Sequence, residues 1–497
     1  MDGFASYWMD SSPATSYPRL DGDVRVDVAV VGGGIAGIST AYELRQRGLT
    51  VALVEAGRLA ASVTGYTTAK ITSLHTAAYT QLAKAFGEGG ARHYGEAQQA
   101  GLGRIAQLVE SLGIDCDFER QDAYTYAVDD ASELQQEAEL AASLGLPSSF
   151  VTDTPLPFDV AGAVRFTDQA QFHPRRYLLR LAEAIPGDGS HVFEQSRMHG
   201  VDDGNPVVVT CDSGTITADD VVVATHYPVL DRGLMFARLE PHRDAVVSGL
   251  LPDGVDLTGM FISTESATHS VRVAPHPEGR LLIVGGEPWK TGKEQDVLAR
   301  YDALASWTAD TFGVTDLRYR WSTQDNMTAD GLPYIGLFHP ATKHLYVAAG
   351  FRGWGMTNGA YAGMLLADLI TGVDNPNAAL FDPRRLKPVA SLKTVLGIQA
   401  DAVKGLVIDR LKPAEVDSVD DIAPGDGAIA SVNGQKAAVH RDDDGVLHCV
   451  SPRCTHLGCI LHFNNAERSW DCPCHGSRFD HTGAVLQGPA NKPLDPL

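Results

Sequence analysis

The sequence predicts an α/β (α+β) chain in three parts: a Rossmann-like nucleotide-binding domain, an antiparallel-sheet substrate domain and an all-β domain at the C-terminal end. Three observations predict it. An apolar run at residues 26–31 leads straight into Gly32-Gly33-Gly34-Ile35-Ala36-Gly37 and then into helical spacing. Residues 237–317 hold strand-like runs, notably 281–284. Beyond Pro413 the chain alternates in short segments separated by Asn433-Gly434 and Asp444-Gly445, both hairpin-turn pairs.

The first unit reads strand, turn, helix, strand: residues 26–31, the glycine turn, residues 38–48 and residues 50–54, ending at Glu55. Gly32 allows the tight turn, Gly34 lets a pyrophosphate approach the backbone, and Gly37 lets helix and strand pack closely. Glu55 stands where a carboxylate accepts from ribose hydroxyls. Dinucleotide binding is the expectation; the alternative is a glycine-rich turn in an empty α/β domain. Residues 93–113 and 131–145 read as amphipathic helices of an excursion from this domain, and 207–210 and 221–224 as strands returning to it. An apolar strand at 345–349 then leads into Gly350-Phe-Arg352-Gly353-Trp354-Gly355-Met356-Thr357-Asn358-Gly359 and an apolar helix to about residue 370. The lesser alternative for residues 350–359, taken alone, is a mobile loop. Pro383 and Pro388 mark the exit, and apolar residues between 389 and 411 fall at helical spacing. Because its polar face is not strongly basic, that stretch reads as a packed connector rather than a membrane-surface helix.

Near the C-terminus stand Cys454-Thr-His456-Leu-Gly-Cys459 and Cys472-Pro-Cys474-His475-Gly-Ser477. Cys-x-His and Cys-x-x-His in two short loops can hold a [2Fe–2S] cluster, with the thiolates on one iron and the imidazoles on the other. A four-ligand zinc site is the alternative. It gives no reason for the symmetric interleaving of Cys and His, nor for Cys459 and Cys474 at matching places.

Two resemblances add to this reading. Residues 20–385 resemble the D-amino-acid-oxidase-like FAD superfamily (glycine oxidase, sarcosine oxidase), chiefly through the first glycine motif and the segments 325–336 and 345–370. The resemblance implies FAD as the dinucleotide. It also places Gly350, Gly353, Gly355, Met356 and Thr357 at the flavin, with a helix start near Thr357 turned to its pyrimidine side. Residues 7–20 resemble the entry segment of amine-oxidising members. Where those relatives carry Ser-Gly-Arg-Asn-Gly-Gly, this chain reads Ser62-Val-Thr-Gly65-Tyr-Thr67-Thr68-Ala-Lys70-Ile-Thr-Ser-Leu-His75, so substrate identity does not carry over. The C-terminal loops resemble the Rieske proteins of the respiratory cytochrome bc complexes. That implies Cys454, His456, Cys472 and His475 as ligands and a Cys459–Cys474 disulfide between the loops. It further implies a covering proline loop at Gly488-Pro489 and a Ser477 hydroxyl donating to a cluster sulfur. A position often Tyr in that family is Phe479 here, which implies a lower potential. The whole resembles bacterial FAD oxidoreductases with a C-terminal Rieske domain. The expected division is a discontinuous FAD-binding domain (20–90, 155–236, 318–385), a substrate or cap region (91–154, 237–317), a helical connector (386–412) and an all-β Rieske domain (413–497).

A formal net charge of −22 over 497 residues argues against nucleic acid or anionic membranes as partners. No basic-then-apolar leader is evident and no run of 18 apolar residues exists, so the expectation is a cytoplasmic chain without a membrane span. A flavin takes two electrons and a cluster one, and no second glycine motif for NAD(P)H is present. The expectation is a flavin-dependent dehydrogenase that oxidises a small organic substrate, an amine or amino acid, at a C–N bond. Electrons would leave through the cluster to a one-electron acceptor protein or quinone. The alternatives are a reductase feeding a separate oxygenase and a non-enzymatic redox sensor. Lys70 and His75 are the candidate catalytic residues, beside the bland readings of a surface lysine and a structural histidine. Glu240, His242 and Arg243 read as a solvated strand edge, with pocket lining as the alternative.

Overall fold

The computed structural model describes residues 4–385, 397 and 409–497. The helical connector expected at 386–412 therefore lies almost wholly outside the described residues. Two large sheets and two small ones make up the β structure. The first sheet has eight strands. Its parallel core runs Leu345–Ala349, Gly214–Val223, Val24–Val31, Val51–Val54 and His191–Phe193 side by side, with Tyr334–Leu337 antiparallel at one edge. Val28, Val30, Val31 and all four residues of Val51–Val54 are buried, as expected of strands covered on both faces. Helices Ile35–Gln46 and Gly355–Thr371 lie side by side against this sheet. Both start earlier than the sequence indicates, because the glycine turns themselves feed into the first helical turn.

The second sheet has nine strands. Its order is Leu317–Thr328, Leu239–Leu250, Gly279–Lys290, Ser270–His276, Met260–Ser263, Glu119–Ala127, Gly162–Gln171 and Lys70–Ile71, with Ser148–Val151 beside Gly162–Gln171. Its long edge is antiparallel in the register Val246↔Trp321 and Val247↔Val284. The helix expected at 93–113 is the later part of Ala78–Ser111, which bends at Gly87 (φ 77°, ψ 165°), and the one at 131–145 is Ser132–Ser143.

The C-terminal domain stacks a three-stranded sheet (Gly427–Val432, Gln435–Arg441, Leu447–Val450) on a four-stranded one (His462–Asn464, Ser469–Asp471, Arg478–Asp480, Val485–Gln487). Asn433 and Gly434 both take positive φ, 50° and 77°, as a type I′ hairpin turn requires. Leu461, Phe463, Trp470 and Phe479 fill the core around the four cysteines at 454, 459, 472 and 474.

This domain is seated on the second sheet by buried polar contacts. Glu467 accepts from Arg243 Nη2 at 2.9 and 3.0 Å and from Arg478 Nη2 at 2.8 Å, and the Ser322 hydroxyl also donates to it. Arg243 is only 2% exposed. The solvated strand edge expected at this residue is thus replaced by an interdomain ion pair, which sequence spacing could not foresee. Asn465 Oδ1 accepts the free N–H groups of Val297 and Leu298 at the start of helix Val297–Phe312, at 3.0 and 3.1 Å. Gly292 lies so close to the second cysteine loop that a Cβ there would meet Pro473 N at 2.6 Å. Burial alone would push the Glu467 carboxyl up; the two guanidiniums outweigh it and hold it down at about 2.

Glu467→Gln should therefore destabilise the seated domain by about 3–5 kcal/mol, since Arg243 is left buried without a carboxylate while Arg478 keeps Asp471 at 2.9 Å. Calorimetry and limited proteolysis would read this as earlier release of the C-terminal domain. Because the folded-state value lies below the ordinary 4.5, the wild-type contribution is present above about 4.5 and is lost as the pH falls through about 2.

Candidate functional site

Two sites lie next to each other. The first is a cavity of about 380 Å³ at the ends of the parallel strands. Gly32 (φ 109°) turns the chain out of Val24–Val31; a Cβ on it would meet Ala224 O at 2.4 Å, and one on Gly37 would meet Gly32 O at 1.8 Å. Only glycines allow this approach. The turn leaves Gly34 at the N-terminal end of helix Ile35–Gln46 and lining the cavity. Glu55 also lines it and accepts from the Gly33 and Gly57 N–H groups, both at 2.7 Å. Gly350, Gly353, Gly355 and Met356 close the opposite wall at the start of helix Gly355–Thr371. Gly37 and Thr357 are placed behind the wall. Gly37 supports the helix packing, and Thr357 donates to Thr72 O at 3.2 Å. A glycine-lined cleft with a helix N-terminus and a ribose-side carboxylate fits a dinucleotide with its pyrophosphate on the turn.

The rest of the wall was not evident from the motifs. Arg58, the segment 61–64 and Ser196 to Met198 line it, as do Thr225, His226, Thr323 and Asp325. So do Val485 to Gly488 and Asn491 of the C-terminal domain, which places the proline loop in the cavity wall. Burial pushes the Asp325 carboxyl up to about 7; Gly353 N–H opposes this and neighbouring Asp244 adds to it. His226 holds a left-handed backbone (φ 66°) and is fixed from both domains. Asn326 Nδ2 donates to its carbonyl at 3.2 Å, and Gln487 Nε2 contacts its ring nitrogen at 3.4 Å. Burial lowers its imidazole to about 4, so the ring is neutral at physiological pH.

Neither candidate catalytic residue is placed on the cavity wall. Lys70 is buried in Lys70–Ile71 with its amine donating to the Ser270 hydroxyl; burial, then the Arg272 charge, lowers it to about 7. His75 contacts Tyr94 Oη at 2.6 Å and Thr72 O at 2.8 Å, and its ring stacks on Trp354 at 4.6 Å. With one ring nitrogen donating to the carbonyl and the other accepting from the phenol, and with burial lowering its pKa to about 3, His75 has no free nitrogen for chemistry. Lys70 and His75 are thus buried polar anchors on either side of the loop rather than a pair at one reacting atom.

The second site is the paired cysteine loops. Cys459 and Cys474 are joined as a disulfide, so they do not ligate even though their sulfurs lie within 4.8 Å of Cys472 Sγ. Cys454 and Cys472 face each other. The His456 and Leu457 N–H groups point at the first sulfur, and those of Cys474 and His475 at the second. Ser477 Oγ accepts from Ala490 N–H at 3.0 Å, and its hydroxyl reaches the Cys454 sulfur. The rings of His456 and His475 lie 5.0 Å apart. His456 Nδ1 and both ring nitrogens of His475 are buried with no hydrogen-bond partner among the described residues. Buried imidazole nitrogens left unsatisfied beside two facing thiols fit a cluster bound through two Cys and two His. The His456 ring nitrogen Nε2 contacts Asp231 Oδ1 of the first domain at 2.8 Å, and Tyr227 and Phe236 stand edge-on to His475, each at 6.1 Å. The histidine side of this site is therefore covered by the segment 227–236.

Comparison with known proteins assigns families to the two regions that hold these sites. The family model for FAD dependent oxidoreductases matches residues 27–369, and the Rieske [2Fe-2S] domain model matches residues 412–497. The chain is 36% identical over 492 residues to the putative Rieske 2Fe-2S iron-sulfur protein YhfW of Bacillus subtilis (strain 168), covering 98% of this chain and 96% of that one. It is 24% identical over 393 residues to the gamma-glutamylputrescine oxidoreductase of Escherichia coli (strain K12), covering 74% and 88% of the two chains. Among solved structures, glycine oxidase from Geobacillus kaustophilus shares the fold at a TM-score of 0.62 and 22% identity, covering 73% of this chain and 99% of that one. The glycine-lined cavity and the paired cysteine loops thus stand in a chain that belongs to the FAD-dependent oxidoreductase family and carries a C-terminal Rieske [2Fe–2S] domain.

Proposed function

We propose that the protein is a dehydrogenase that oxidises the C–N bond of a small amine or amino acid and passes the electrons singly, through the Rieske domain, to an external acceptor protein or quinone. The observation that carries this reading is the shared wall. Val485 to Gly488 of the Rieske domain line the flavin cavity, and His226 lines it while the next residue, Tyr227, packs on the cluster ligand His475. Held at these sites, FAD would supply two-electron hydride acceptance and the cluster one-electron transfer. The names of the amine- and amino-acid-oxidising relatives support the choice of bond.

The chain's own residues supply binding, orientation and proton handling. The Gly32–Gly37 turn and Glu55 hold the dinucleotide end. Asp325 is the buried carboxyl on the cavity wall, protonated below about pH 7 and charged above it. In its charged form it pairs with an ammonium or accepts a proton as the amine becomes an imine, and water then hydrolyses the released imine outside the cavity. His226, neutral and fixed by both domains, excludes water between cavity and cluster without adding charge.

Anaerobic stopped-flow mixing of the loaded protein with a panel of amines and amino acids should bleach the flavin first and the cluster second. Flavin reduction by NADH alone, with no response to any amine, would overturn the dehydrogenase reading. Asp325→Asn should slow amine-driven flavin reduction by about 10²-fold and flatten its rise with pH near 7. The sign follows from a raised carboxyl: wild-type activity grows as the pH passes upward through about 7 and the carboxylate forms. A variant with the wild-type pH profile would remove Asp325 from the chemistry.

A further inference from the structure

The contact between His456 and Asp231 plays no part in the oxidation proposed above. His456 Nε2 stands 2.8 Å from Asp231 Oδ1, a carboxylate contributed by the other domain. The His456 side chain is 6% exposed and that of Asp231 52%, so the bond lies at the rim of the seam with its imidazole end buried. A carboxylate only accepts, so Nε2 carries the proton and donates. Nδ1 then keeps its lone pair, the form in which a neutral imidazole binds a metal. Nδ1 is also the atom that is buried with no hydrogen-bond partner among the described residues. One bond from outside the Rieske domain thus selects the tautomer in which His456 can serve as a ligand.

The carboxylate is braced from its own side. The next residue, Arg232, donates from Nη2 to Val201 O at 2.7 Å and pairs through Nη1 with Asp203 at 3.5 Å, and its N–H bonds Leu230 O at 2.8 Å. The other histidine is placed differently. Both ring nitrogens of His475 lack a hydrogen-bond partner among the described residues, and the same segment offers it the rings of Tyr227 and Phe236. The two imidazoles are therefore unequal, one held by a carboxylate and the other set among aromatic edges.

We propose that Asp231 is a positioning residue of the cluster site: it holds the His456 ring through Nε2 and lowers the reduction potential of the cluster that His456 ligates through Nδ1. A carboxylate that accepts the far N–H of a metal-bound imidazole fixes the ring and raises the basicity of the ligating nitrogen. Greater basicity and the adjacent negative charge favour the oxidised, more positive cluster, which is a fall in potential. Asp231 belongs to the flavin domain, so the lower potential is a property of the seated Rieske domain and not of that domain alone.

The test uses the full-length loaded protein and no substrate, so its outcome is independent of which bond the flavin oxidises. In a dithionite titration followed by electron paramagnetic resonance, Asp231→Asn should favour the reduced cluster about tenfold, a rise of about 59 mV for a one-electron couple. Iron content and the flavin absorption spectrum should be unchanged. The rise should persist in about 1 M salt, where exposed charges are screened beyond roughly 3 Å and only a direct contact still acts. An unchanged potential at full iron content, or a rise that vanishes in that salt, would overturn the proposal. Should the variant fail to load iron, a crystal structure of the loaded wild-type protein decides: an Asp231 carboxylate oxygen within hydrogen-bond reach of His456 Nε2 supports it, and one beyond that reach overturns it.

Discussion

A single carboxylate, Glu467, shared between Arg243 of the sheet domain and Arg478 of its own domain, is the interaction on which the arrangement of this protein rests. Buried charges of this kind contribute little net stability against apolar side chains of the same volume, but removing one partner is costly. Their value is geometric. The pairing admits one orientation of the Rieske domain, and the Asn465 contacts to helix Val297–Phe312 and the close approach at Gly292 agree with it. In that orientation the proline loop becomes part of the glycine-lined cavity and the histidine edge of the paired cysteine loops meets the segment 227–236. A swinging domain would sacrifice all of these contacts in every turnover.

The same seating explains the polarity of the cavity. Close to the glycine turn the wall offers backbone N–H groups, a helix N-terminus and Glu55, suited to phosphates and ribose. On the antiparallel side Thr323 and Asp325 project from Leu317–Thr328, whose alternating neighbours Ser322 and Gln324 face the Rieske domain and bind Glu467 and Gly476 O. One strand therefore serves both sides through the two-residue alternation of a β-strand, one face toward the glycine-lined cavity and the other toward the C-terminal domain.

What the sequence made legible was local. The turn at Gly32, Gly34 and Gly37 and the paired Cys and His loops fix their own geometry within a few residues, so spacing alone reveals them. The same holds for the Asn433-Gly434 hairpin, where positive φ dictates residue type. Contacts made at long range left no such trace. Arg243 and Glu467 are 224 residues apart, and nothing around Arg243 distinguishes it from an exposed strand cation. His226, Tyr227 and Asp325 belong to no motif and acquire meaning only when two domains close on them. Lys70 and His75 are the converse case. Their place after the second strand suggested chemistry, but packing turned both inward onto Ser270, Tyr94 and Thr72.

The Asn465 contact carries a consequence for how such a fusion arises. Helix Val297–Phe312 is capped partly by its own Asp296 and partly by a side chain from the other domain, which also bonds Asp296 at 3.0 Å. A flavoprotein severed from its Rieske partner would present an incompletely capped helix, a buried arginine laid bare and a cavity missing one wall. The two modules thus have interdependent surfaces, and exchanging either for a homologue from an unfused protein would require rebuilding the seam together with the module.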